Sequence, residues 1–186
     1  MKFFLGFISA LIVAALVAVT WIYSGWDNVS ALKPHSKFVT WAASTTMQRS
    51  VRIRAAAIAA PANLTARASV GFSDFDEMCV QCHSAPGMER GEVGKGLNPQ
   101  PPVLTDAARR WSPSELFWIV KNGVRMTGMP AFGPTHADER IWTIVAFVQK
   151  LSSISPEQYK SMRLKNGTAS KPHDHSDEHN HSDHHH

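Results

Sequence analysis

Cysteine is almost absent from this chain: 186 residues carry two, Cys79 and Cys82. A structural zinc site would need a second pair of thiolates or nearby imidazoles, and no second cysteine pair exists. Alternating strand and helix signals are missing around the two cysteines, which argues against a thioredoxin-like redox pair. Also missing are paired carboxylates, a nucleophile triad and a phosphate loop, so no catalytic residue is assigned and no independent catalysis is expected. Three further gaps divide the chain. Phe3 to Tyr23 carries no charge, residues 28–70 carry no acidic residue, and Lys171 to His186 carries no apolar one. The length favours one compact domain with extensions.

What is present begins with Met78-Cys79-Val80-Gln81-Cys82-His83. Two thiols separated by two residues and followed at once by an imidazole are the pattern of c-type haem attachment. Each thiol can add across one haem vinyl group, and His83 is then held beneath the iron as the proximal ligand. A disulfide between the two cysteines would leave His83 without a role.

The sixth iron position needs a second donor. Arg125-Met126-Thr127-Gly128-Met129-Pro130-Ala131-Phe132 is the strongest downstream candidate. A thioether stabilises ferrous iron and raises the reduction potential, which suits an electron carrier. Gly128 permits close backbone approach and Pro130 fixes the loop. Met129 is the favoured ligand, Met126 the alternative, and His136 a third choice that would make a bis-histidine centre. Without the haem motif, Met129 would read as a core filler.

These residues resemble a class I, monohaem c-type cytochrome, and more closely the membrane-anchored group similar to subunit III of cbb3-type oxidases. The similarity rests on Cys79 to His83, on the proline-rich Leu97 to Leu104, and on Lys121 to Phe132, within residues of about 70 to 152. The resemblance implies an all-α fold around one covalent haem c. It implies that a proline carbonyl, of Pro101 or Pro102, accepts a hydrogen bond from His83 and fixes its tautomer. It implies that the first helix of the domain crosses the last, here Gly71 and Phe75 against Trp142 or Val145. It also implies an address on the outer face of a bacterial cytoplasmic membrane.

Around that domain the chain divides into residues 1–24, a membrane anchor or uncleaved signal; 25–70, a basic juxtamembrane segment; 71–152, the haem domain; and 153–186, a flexible extension. The twenty-one residues from Phe3 to Tyr23 suffice to span a bilayer, and a retained anchor is favoured over a cleaved signal. Ser36 reads as an N-cap and Pro61 as a stop for an amphipathic helix carrying Phe38, Trp41, Met47, Val51, Ala55 and Ile58. Such a basic helix lies on anionic headgroups, docks on a partner protein, or is simply solvated.

Within the domain, a first helix is expected over Phe72 to Val80 and loop from Ser84 to Thr105. A helix starts at Ser112-Pro113-Ser114-Glu115 and stops near Asn122-Gly123. A last helix runs from Thr135 or His136 through Leu151. A domain of some eighty residues has a marginal core, so the haem is expected to complete it. Residues 71–151 hold eight Lys/Arg against nine Asp/Glu, so the basic character lies upstream.

The tail carries seven of the ten histidines: His173, His175, His179, His181, His184, His185 and His186. It reads as solvated, with copper or zinc binding as a weaker possibility. The expected function is one-electron transfer between redox protein partners on a membrane. A fixed haem subunit of an oxidase or dehydrogenase, or a haem or metal sensor, are the alternatives. Neither nucleic acid nor a small-molecule substrate is expected as a partner.

Overall fold

The computed structural model describes residues 2–167. Among them there are helices and turns and no strand. The uncharged run forms α1 (Lys2–Ser24), none of whose residues is buried. At 1.5 Å per residue its twenty-three residues extend about 34 Å, enough to cross a hydrocarbon core of about 30 Å. It is long and apolar enough for a membrane span, and so is a signal sequence at this position.

The basic segment forms α2 (Lys37–Ala55), capped as expected by Ser36, whose Oγ accepts from the Val39 N–H at 3.3 Å. It stops at Ala55 rather than at Pro61. The chain turns there through the Ile58 N–H to Ala55 carbonyl bond of 3.0 Å. Ser114 then donates to the Ile58 carbonyl at 2.8 Å. The apolar stripe of α2 divides: Val51 and Ala55 are buried, whereas Phe38 and Trp41 stay exposed.

The expected first helix over Phe72 to Val80 is not continuous. Regular α3 (Phe72–Asp74) passes into a π turn over Phe75–Cys79, where the Val80 N–H reaches the Phe75 carbonyl at 3.3 Å. The extra residue turns the following side chains about 100° relative to the preceding ones. Phe75 keeps its ring in the core, and Cys79 packs at the edge of that core where it lines the cleft.

The stretch expected as loop holds two short helices, α4 (Glu92–Gly96) and the start of α5 (Leu104–Arg110). α6 (Pro113–Asn122) opens on the expected capping box, Ser112 and Glu115 each accepting from the other's backbone N–H. It ends at Gly123, whose φ of +65° suits a residue without Cβ. α7 (Asp138–Lys150) begins after Ala137, slightly later than expected, and supplies most of the core.

α3 does cross α7. A Cβ at Gly71 would run into the Thr143 carbonyl, so glycine sets this approach. The ring contacts can be named. Phe75 packs on Phe147 with centroids 5.0 Å apart, and Trp142 stacks on Phe117 of α6 at 4.1 Å.

The extension from residue 153, expected to be flexible, begins instead with α8 (Pro156–Lys165). Its Tyr159 is 1% exposed and lies edge-on to Phe72 and Phe75. This enclosed ring, with Met162 packed against the same core, ties the helix to the domain.

Candidate haem site

An apolar cleft of about 510 Å³ opens between these helices, within the size range of cofactor sites. Cys79, Cys82 and His83 line it from the turn after α3, Leu116 and Ile119 from α6, and Met129 from the loop before α7.

The attachment turn is held locally. The His83 N–H donates to the Cys79 carbonyl at 2.8 Å and the Cys82 N–H to the same oxygen at 3.2 Å. α4 backs directly onto it, since a Cβ at Gly94 would collide with the Cys82 carbonyl. Both cysteines are free and half-buried. Burial, with the Asp74 charge adding to it, pushes the Cys79 thiol up to about 12. It therefore stays protonated rather than becoming a thiolate, unlike the reactive member of a redox pair.

The His83 Nδ1 lies 2.8 Å from the Pro102 carbonyl oxygen. Because that oxygen can only accept, the proton sits on Nδ1 and Nε2 keeps its lone pair for a metal. Burial lowers the His83 pKa, and nearby Arg90 acts in the same sense, so the ring is held neutral and able to ligate. Of the two prolines left open by the sequence, Pro102 makes this contact. Pro101 accepts instead from Arg90 Nε at 3.0 Å, which braces the same loop.

The methionine loop sorts its candidates. The Thr127 hydroxyl donates to the Val124 carbonyl at 2.7 Å and accepts from the Met129 N–H at 3.1 Å. The Val124 N–H donates to the Met129 carbonyl at 3.3 Å. This closed loop puts Met129 on the cleft, half-buried. Met126 occupies its tip with φ +59° and 90% exposure, off the cleft. The backbone at Gly128 sits tight against the Leu97 side chain, the close approach expected of glycine there. His136 lies off the cleft as well, its Nδ1 2.8 Å from the Thr135 hydroxyl and its ring edge-on to Phe132.

Two thiols, a tautomer-fixed imidazole and a thioether on one apolar cleft are a donor set that fits haem c. Sequence reasoning overlooked Met47, which α2 brings to the same cleft. Its place on the apolar stripe was legible; that the stripe packs across the haem domain was not. Among the described residues no group of three or more His, Cys, Asp or Glu could hold a separate metal ion. The tail histidines, His173 to His186, lie outside the described residues.

Residues 66–148 match the family described as cytochrome c oxidase, cbb3-type, subunit III. No curated protein matches the chain.

Proposed function

We propose, on the premise that residues 66–148 are a c-type cytochrome domain, that this chain is a membrane-tethered one-electron carrier holding one covalent haem c. The family implies haem and electron transfer. Cys79 and Cys82 would bind the haem as thioethers, and His83 and Met129 would ligate its iron. A haem bound there supplies the one-electron iron couple. The chain's residues do the rest. Pro102 holds the His83 ring in one tautomer, Thr127 fixes the backbone of Met129, and the apolar lining disfavours added positive charge and so favours the reduced state. The observation that carries the reading is the convergence of Cys79, Cys82, His83 and Met129 on one cleft.

α1 would anchor the chain in the cytoplasmic membrane, with the haem domain, residues 71–152 and the added α8, on its outer face. Donor and acceptor would be redox proteins. A haem stain after denaturing electrophoresis tests the attachment: colour should stay with the wild-type chain and leave Cys79→Ala/Cys82→Ala. Colour running free of the wild-type chain would contradict it.

The matched family's description favours a second reading, a fixed subunit of an oxidase complex. Gentle detergent extraction at ordinary salt separates the two, because a fixed subunit brings its partners with it and a carrier emerges alone.

A further inference from the structure

The haem domain engages α2 along its C-terminal part, where Arg52 also lies 3.8 Å from Glu115 of α6. Val51 and Ala55 are buried against it, and Met47 reaches the cleft. On another flank Phe38 is 71% exposed and Trp41 62%, with their rings 5.9 Å apart. At 100° per residue the flank continues through Thr45 and Arg49. It is therefore aromatic at its start and cationic further along, and Lys33 and Lys37 flank the aromatic end. No acidic residue lies anywhere in 28–70.

The path from α1 is short. α1 ends at Ser24, and the linker is pinned to the haem domain at Lys33, whose carbonyl accepts from Asn98 Nδ2 at 2.9 Å. Only residues 25–32 are left to span from α1 to the domain, at most about 28 Å of extended chain. Within that stretch Trp26, Val29 and Leu32 are all largely exposed. Exposed aromatic and aliphatic side chains a few residues from an apolar helix, with Lys33, Lys37 and Arg49 close by and Asp27 the one acidic residue of 25–70, have the composition of a segment lying in a membrane interface.

We propose that the Phe38–Trp41 end of α2 lies on an anionic lipid surface, its rings at the headgroup boundary and Lys33, Lys37 and Arg49 against lipid phosphates. Because the other side of α2 is locked to the haem domain, this contact holds the domain in one orientation instead of letting it swing on its tether. The inference rests on α1 spanning the bilayer.

The test uses the haem-loaded full chain in nanodiscs of phosphatidylcholine alone or with phosphatidylglycerol. Both native cysteines are consumed by haem, so a nitroxide on Thr45→Cys, which keeps both rings, is the only label. Lys160→Cys on α8 serves as the reference. In phosphatidylglycerol discs the label at 45 should be relaxed by oxygen and sheltered from a water-soluble nickel chelate, while the label at 160 stays open to nickel. Replacing Lys37 or Arg49 with Gln should lower the docked-to-undocked ratio about fivefold per charge. A label at 45 that nickel reaches equally in both disc types overturns the proposal. Shelter that appears only when solubilised membrane proteins are added assigns the flank to a protein partner and also overturns it. A chain that does not co-elute with discs at all refutes the spanning role of α1, and the inference falls with it.

Discussion

Asp76 is the one charged side chain buried among the described residues, three positions before Cys79. The Tyr159 hydroxyl donates to its carboxylate at 2.6 Å and Arg163 Nε at 3.1 Å. A buried carboxylate is tolerable only with such partners. Tyr159→Phe keeps the ring and removes one donor, so it should cost about 1–3 kcal/mol, seen as a lower denaturant midpoint with unchanged slope. An unchanged midpoint would mean that the hydroxyl bond contributes nothing net.

Asp74, on the same segment, makes a two-pronged contact with Arg140 of α7, 2.8 Å from Nε and 2.6 Å from Nη2. The hydrogen bonds from Arg140 hold the Asp74 carboxyl below its ordinary value. A folded-state pKa below the unfolded one means stability that is fully present above about 3.9 and lost as pH falls through the folded value. Arg140→Met should therefore be less stable than wild type near neutral pH, with the difference closing in strong acid. Equal stability at neutral pH would contradict this, and so would a difference that persists in acid.

Among the elements, α3 and α7 meet where Gly71 touches the Thr143 backbone. Gly71→Ala forces the two helices apart because backbone cannot rotate away as a side chain can. Overpacking costs about 1–3 kcal/mol, and this site should fall at the upper end, measurable as a lower Tm or as poor haem incorporation.

The elements also show what the sequence made legible. The Ser112 box was readable because its signal is local, a hydroxyl, a proline and a glutamate in four consecutive residues. Ser155-Pro156-Glu157-Gln158 carries the same signal and forms the same box on α8. The apolar pattern gives it no support, because one Tyr does not make an apolar stripe and the tail beyond it is polar. The π turn had no local signature, since one added residue in a hydrogen-bond ladder leaves side-chain periodicity too short to read. The docking of α2 on α6, with Arg52 Nε 3.8 Å from Glu115, depends on contacts some sixty residues apart in the sequence. That Cys79, Cys82, His83 and Met129 share one cleft agrees with what their two motifs suggest. The choice of Pro102 over Pro101 and the arrival of Met47 required the fold.

On the scale of the whole molecule, the described core is built round a cleft rather than closed over it. A domain of this size buries a modest share of its surface, and the apolar lining of the cleft adds a cost when it faces water. Cys79→Ala/Cys82→Ala, kept free of haem, should show a broadened and earlier thermal transition, followed by circular dichroism. A sharp transition at the holo-protein temperature would show that the helices close without the cofactor. The central claim is that Met129 completes a six-coordinate haem centre begun by Cys79, Cys82 and His83. Its most direct test is the far-red absorption of the ferric protein, where sulfur-to-iron charge transfer appears, recorded for wild type and for Met129→Leu. The account predicts the band in the wild type and its loss in the variant; a wild type without the band, or a variant that retains it, would contradict the assignment of Met129.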